Sequence, residues 1–409
     1  MTNGYLETAA ELGRQIAGAA IWSGRRCSWV GGMPEESPDG FAMSYLSFGP
    51  ELYGGTAGVG LALAEVHAAS GEPELRRTAL GALEHALAHI ASVHDSVRLG
   101  IYSGVLGIAV AAVRAGHVLA DESLVERGFE LTGNLHLRAA PLENDLLLGR
   151  AGGIVALLVL HRSGGAEALL ERAVEIGDDL LDAADVGETM SWGSPSFPEQ
   201  PNLTGLSHGA AGIALALLEL HAATGQERFR AAADAGFAYE RTLYDPLAGN
   251  WPDLRELATR GREPGAPPSY PVLWCHGAPG IALSRLRAYE LVADTVYRDE
   301  AIAALDTTLR SVRAELATGN YSLCHGLAGN AEVVGEGSGL LGDEAAKLHY
   351  AVAAAGIDTY GASGQWPGGV FDGMTDSLLL GRAGTAYFYL RLHDPSVPSV
   401  LLFRPERFA

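Results

Sequence analysis

The chain has 409 residues, 48% of them apolar, and its 49 acidic and 28 basic side chains leave a formal net charge of −21. It is too apolar to be disordered and too acidic for a nucleic-acid binder or for docking on an anionic membrane. Its 53 glycines follow no period of three, which excludes collagen.

The N-terminal stretch MTNGYLETAAELGRQIAG lacks the basic start and apolar block of a secretory signal. No apolar run approaches the ~20 residues of a membrane span. Three cysteines are a poor disulfide inventory. The expectation is a reduced, cytoplasmic protein without membrane insertion and with no nucleic-acid partner.

In chain order, a G-x-x-G turn followed by an apolar run begins at Gly55 (GTAGVGLAL), Gly104 (GVLGIAVAA), Gly149 (GRAGGIVALLVL) and Gly209 (GAAGIALALLEL). It returns at Gly277 (GAPGIALSRL), Gly326 (GLAGNAEVV) and Gly381 (GRAGTAYFYLRL). A motif repeated at quasi-regular spacing marks a repeat architecture. Between copies lie amphipathic stretches. Within Glu74–Val93, Leu75, Ala79, Leu83, Leu87 and Ile90 share one face at helical spacing. Ala168–Ala183, Ala231–Leu243, Arg298–Leu316 and Asp343–Tyr360 read alike. Ile154–Leu160 and Ile213–Leu218 are apolar all round, as fully buried helices are.

Each repeat is therefore one inner and one outer helix. The first and last copies keep the full motif, which favours a closed ring over a capped solenoid. The predicted fold is all-α, an α/α toroid (barrel) of seven inner and seven outer helices, forming one domain over residues 1–409. The glycines would admit positive φ and close backbone approach. Every inner helix would start at the same end of the ring. Helix N-termini converging there suit an anion or a developing negative charge.

The residues before each turn differ. Asp145 stands four before Gly149, and His208 precedes Gly209. Trp274, Cys275 and His276 precede Gly277, and Cys324 and His325 precede Gly326. The register places these side chains at one mouth. Two thiolates and one imidazole, Cys275, Cys324 and His325, leave a fourth tetrahedral position open, the pattern of a catalytic zinc. Two buried thiols and a satisfied histidine are the plainer alternative, and the matched Cys-His-Gly triplets favour zinc, one ion per chain. His208 is a candidate acid or base. His276 could border the same cavity. Asp145 could orient His208, accept a proton, or cap a helix. Asp376 lies one residue out of register. Cys27 reads as a bystander thiol, and the other ten histidines, from His67 to His393, receive no chemistry. The long segments Asp185–Leu206 and Tyr244–Trp274, and also Gly361–Met374, are expected to be rim loops that shape a groove.

The strings GLSHGAAG, WCHGAPG and CHGLAGN, with the tail DSLLLGRAGTAYFYLRL, resemble the lanthionine synthetase C family, and the likeness runs through all seven repeats. It implies an α/α toroid with zinc on Cys275, Cys324 and His325, a catalytic histidine at His208 and a cavity aspartate at Asp145. His276, a histidine that many relatives share, stands where the family's type member has tyrosine. That member's active-site arginine, four residues before the first cysteine, corresponds to Pro271.

The resemblance implies a lanthipeptide cyclase. Cysteine thiols of a dehydrated precursor peptide would add to dehydroalanine or dehydrobutyrine and form (methyl)lanthionine thioethers. A separate dehydratase, and a transporter in the same complex, are the implied partners. The alternatives are addition of glutathione to dehydroamino acids and a non-catalytic scaffold of a biosynthetic complex.

Overall fold

The computed structural model describes residues 2–37, 40–133, 142–195, 198–255, 268–370 and 374–408. His136 and parts of all three expected rim segments lie outside them.

Each G-x-x-G turn starts a helix at the residue after its first glycine. The inner helices are Thr56–Ser70, Val105–Leu119, Arg150–Arg162 and Ala210–Thr224, then Ala278–Val292, Leu327–Glu336 and Arg382–His393. They are apolar on nearly every face and correspondingly buried; Ala210–Leu220 is buried without a break. Each packs on its neighbours, and the last packs on the first, so the ring closes.

Outer helices Pro73–Ala88, Glu122–Gly133, Glu167–Asp182, Glu227–Thr242, Thr295–Glu315 and Asp343–Tyr360 each follow and cover their inner partner. The last inner helix has no outer partner after it in sequence. The N-terminal helix Thr2–Gly18 packs there instead. The described residues thus contain seven inner and seven outer helices, as expected, and the two ends of the chain together make the seventh pair. Antiparallel hairpins Ile21–Ser23/Arg26–Ser28, Val30–Ser37/Gly40–Ser47 and Asp185–Val186/Met190–Ser191 decorate the connections. No helix of the described residues is long and apolar enough to cross a membrane.

The glycines serve closeness more than positive φ. Six of the seven first glycines are extended, and only Gly277, at φ +95°, needs left-handed space. The second glycine explains itself sterically. A Cβ at Gly58, Gly107, Gly152, Gly212, Gly280, Gly329 or Gly384 would run into the carbonyl oxygen of the residue six positions earlier. The turn folds back onto the first turn of its own helix, and only glycine leaves room.

That fold-back lines up the seven residues that stand two before each first glycine. Their main chains bond in a circle. Tyr53 N donates to Tyr102 O (2.9 Å), Tyr102 N to Leu147 O (3.3 Å), Leu147 N to Ser207 O (3.0 Å) and Ser207 N to Cys275 O (3.3 Å). Trp274 N, shifted by one residue, donates to Cys324 O (3.0 Å). Cys324 N then donates to Leu379 O (2.9 Å), and Leu379 N returns to Tyr53 O (3.1 Å).

A second annulus lies toward the other end of the inner helices, ten residues after each first glycine. The residues there are Glu65, Arg114, Val159, Glu219, Arg287, Glu336 and Arg391. Arg114 pairs with Glu65 at 2.7 Å, Arg287 with Glu219 at 2.6 Å and Arg391 with Glu336 at 2.9 Å. Each pair joins two adjacent inner helices. The chain's tail crosses this end. Arg404 bonds Glu290 and Glu336, and Glu406 meets Arg287. Val400–Phe403 runs buried, its carbonyls taking Tyr102 Oη at 2.8 Å and Trp274 Nε1 at 3.0 Å.

Two residues beyond the charge annulus stand His67, His161 and His221. Each turns Nδ1 toward the carbonyl five residues on, at 2.8, 3.4 and 3.3 Å. Three of the histidines given no chemistry thus join a helix end to the next element.

Candidate metal centre

Backbone geometry delivers the site. Cys275 and Cys324 both occupy the main-chain annulus, so their side chains leave neighbouring turns from equivalent places. Their sulfurs and a ring nitrogen of His325 lie within 4.8 Å of one another, and both thiols are free and buried. His325 is held from three sides. Its N–H donates to Ser322 Oγ (3.2 Å), its carbonyl accepts Asn320 Nδ2 (3.1 Å), and Nδ1 faces the Gly369 carbonyl at 3.4 Å. With Nδ1 engaged, Nε2 is left for the sulfurs, the usual arrangement behind a metal-binding imidazole.

The group could hold a metal ion. Zinc bonds of ~2.0–2.3 Å in a tetrahedron put ligands about 3.5–3.8 Å apart, so three donors within 4.8 Å need little adjustment. The protonation chemistry agrees. Hydrogen bonds from Cys324 and from His325 hold the Cys275 thiol well below its ordinary pKa despite burial, while burial and the neighbouring Cys275 push Cys324 up. The opposite shifts make Cys275 the readier thiolate, the form that a dication binds.

Beside the sulfurs stands His208, whose Nδ1 lies 2.8 Å from Asp145 Oδ2. The other Asp145 oxygen accepts Leu148 N at 2.6 Å. One carboxylate oxygen thus orients His208 and the other closes the turn ahead of the helix, whose N-cap, Gly149, takes no side-chain bond. Burial opposes the charged His208 ring, but Asp145 more than offsets it, and the pKa is raised above the ordinary value. The turn bearing His208 is anchored from behind by buried Glu240, which accepts Gly205 N (2.7 Å) and Ala211 N (3.0 Å).

His276 stacks on His208 with ring centres 5.6 Å apart. It is buried, and burial pushes its pKa down to about 4. Its Nδ1 lies 4.0 Å from Asp253 Oδ1, and Nε2 meets no hydrogen-bond partner among the described residues. His276 lies outside the three-ligand group.

The remaining candidates fall elsewhere. Asp376 forms a 2.6 Å ion pair with Arg382. Cys27 is buried on its own strand, its thiol toward Thr78 O, and burial pushes its pKa up to about 12. Pro271 offers only a carbonyl, taken by Asn250 Nδ2 at 2.9 Å. The tryptophans of the long segments are anchors. Trp192 Nε1 bonds Leu180 O, Trp251 Nε1 bonds Glu240 O, and Trp366 packs among Tyr321, Tyr360 and Tyr389.

Three further residues belong to the site's surroundings. Tyr53, the first member of the main-chain annulus, hydrogen-bonds the Cys324 sulfur. Its slot is the cysteines' own slot, so the repeat register already pointed to it. Asp253 and Arg255 form a 2.7 Å pair beside His276, and nothing in their local sequence marks them.

A sequence pattern of the family described as "Lanthionine synthetase C-like protein" matches residues 47–402. The chain belongs to this family. It is 26% identical over 356 residues to "Glutathione S-transferase LANCL1" of Danio rerio, covering 84% of this chain and 82% of that protein. Nisin cyclase superposes with a TM-score of 0.64 at 17% identity, over 88% of this chain and 92% of that one. The GH76 α-mannanase BT2949 of Bacteroides thetaiotaomicron superposes at 0.53 with 12% identity, over 96% and 95%. The architecture is therefore the α/α toroid, and the mannanase shows that this ring also carries unrelated chemistry.

Proposed function

We propose that this lanthionine synthetase C-like chain is a zinc-dependent, thioether-forming peptide cyclase. One observation carries the reading: two free thiols and an imidazole converge within 4.8 Å beside a histidine backed by a carboxylate. Cys275, Cys324 and His325 would hold one zinc ion. Bound there, zinc supplies a Lewis acid that favours the thiolate form of an incoming cysteine at neutral pH.

The chain's own residues do the rest. Addition of the peptide's sulfur to the β-carbon of a dehydroamino acid leaves negative charge on its carbonyl oxygen. The α-carbon must then gain a proton. With Nδ1 of His208 committed to Asp145, Nε2 is the atom that delivers it. Asp145 holds the ring's orientation and keeps its charged form available. Neutral His276 flanks the same space and orients the acceptor. The substrate is a dehydrated precursor peptide, so a separate dehydratase acts first. A complex with that enzyme and a transporter is part of the same proposal, as is a cytoplasmic location.

The test is metal analysis with cyclisation. Incubated with a dehydrated peptide that contains cysteine, the zinc-loaded protein should remove free thiol, read by mass spectrometry after alkylation, because cyclisation itself leaves the mass unchanged. Full activity in a verified zinc-free preparation overturns the reading.

A second reading draws on the relative named glutathione S-transferase, whose 26% identity spans most of both chains. The same site would then add glutathione to a dehydroamino acid. Glutathione adducts formed faster than intramolecular thioethers would favour it.

A further inference from the structure

Between the fourth and fifth repeats, the chain lays a charged arm against the site. Trp251 is buried and bonds Glu240 O at 3.0 Å. The carbonyl of Pro252 accepts Thr204 Oγ1 at 2.7 Å, and Asp253 N donates to Ser269 O at 2.8 Å. Glu240 and Thr204 belong to the framework that carries His208, so arm and turn are fixed to one another.

On this arm Arg255 grips Asp253 as a fork, with Nε to Oδ1 at 3.0 Å and Nη2 to Oδ2 at 2.7 Å. Its own N–H also reaches Asp253 Oδ1 at 3.1 Å. Asp253 is 5% exposed at its side chain, but Arg255 is 32% exposed, so the fork is rooted inside and open outside. The fork borders the site: Asp253 Oδ1 lies 4.0 Å from His276 Nδ1, and His276 stacks on His208 with ring centres 5.6 Å apart. A guanidinium carries five N–H donors and keeps its charge, and among the described residues the fork engages its Nε and Nη2 nitrogens.

We propose that Arg255 binds the carbonyl oxygen of the dehydroamino acid and stabilises the negative charge that develops there, with Asp253 as its positioning residue. This rests on the thioether-forming reading above. The sulfur–Cβ bond forms as the Cα–Cβ π bond breaks, and that electron pair moves onto the carbonyl oxygen. The proton His208 delivers then closes the α-carbon, and Arg255 keeps all its protons. A fixed cation aimed at a developing oxyanion is the arrangement that lowers such barriers most.

The experiment uses the full zinc-loaded chain and a dehydrated, cysteine-containing peptide. Arg255→Ala should lower kcat by about 10²-fold, by analogy with loss of one oxyanion donor, while keeping zinc; its thermal midpoint falls, because buried Asp253 loses its partner. Added guanidinium ion should restore part of that rate, and Arg255→Lys should sit between wild type and Arg255→Ala. Asp253→Asn should lower the rate less and gain nothing from guanidinium. A kcat within twofold of wild type in Arg255→Ala overturns the proposal. So does a loss accompanied by zinc release and without guanidinium rescue, which would make Arg255 purely structural. Wild type that binds zinc yet consumes no thiol would instead sink the cyclase reading, and the proposal with it.

Discussion

The two ends of the ring are held by different bonds. At the mouth, neighbouring turns are joined through main-chain N–H and C=O groups. At the far end, adjacent inner helices are bolted by side-chain ion pairs. The consequence is a division of freedom. Side chains in the mouth annulus do not have to join the turns to one another, and they range over tyrosine, leucine, serine and cysteine, although Tyr102 and Ser207 still bond main-chain carbonyls. Those in the far annulus, Val159 apart, alternate in charge and pair across adjacent helices. Chemistry can be built on the first annulus because the main-chain bonds between turns do not depend on which side chain stands there.

The largest effect expected from this contrast separates activity from stability. Cys324→Ala should lose zinc and reduce thiol consumption to below about 1% of wild type, since an open zinc site cannot survive on two protein ligands. Its fold should persist, because Cys324 N still donates to Leu379 O. Zinc stoichiometry and a thermal melt read the two halves. Unfolding of the zinc-free variant at room temperature would break the comparison.

Glu219→Ala should do the reverse. Glu219 and Arg287 are 5% and 8% exposed at their side chains, so deletion removes the guanidinium's buried partner and leaves it the more exposed Glu290 and Glu406. The cost is about 1.5–3 kcal/mol, read by urea unfolding, with zinc content unchanged in the folded fraction. Glu219→Leu with Arg287→Met should recover most of that loss. Zinc release in folded Glu219→Ala would show the two ends to be coupled.

Asp145→Asn tests the mouth's electrostatics. With the carboxylate gone, burial dominates and the His208 pKa falls below its ordinary value of ~6.5. If His208 is the acid, the alkaline limb of the rate profile moves to lower pH. Stability follows the same sign. A raised pKa contributes stability below about pH 6.5 that is lost as pH rises through the folded value, so the variant's deficit should be largest in acid. An unmoved limb removes His208 from the proton transfer.

Much of this contrast was legible in the sequence, and the exceptions have physical reasons. The G-x-x-G turns gave away the helix count because only glycine tolerates a carbonyl oxygen where a Cβ would be. They did not reveal the pairing of Thr2–Gly18 with Arg382–His393, since those segments stand at opposite ends of the chain. The cysteine and histidine triplets could be aligned by repeat because the annulus fixes their slot. The charge annulus obeys the same register but hides at the close of apolar runs, where one charged residue reads as a helix edge. Arg255 had no signal, because it reaches the site through an irregular arm.

Tyr53→Phe is the finest probe of the mouth. The phenol shares the cysteines' slot and bonds the Cys324 sulfur, so removing its oxygen changes one contact behind a metal ligand and leaves the main-chain circle whole. The sulfur becomes a stronger electron donor without that hydrogen bond. Loss of a partner behind a ligand typically changes metal affinity or activity by about 10-fold or more. Here the ion is also held by Cys275 and His325, so the expected change is at the lower end, with competition against a zinc chelator as the measurement. Tyr102→Phe, three slots from Cys324 in the same annulus and bonded to Val400 O, provides the control. It should lower the thermal midpoint slightly and leave zinc affinity alone. Equal effects of the two on zinc would mean that the annulus transmits strain, and that its side chains are less free than the main-chain bonding implies.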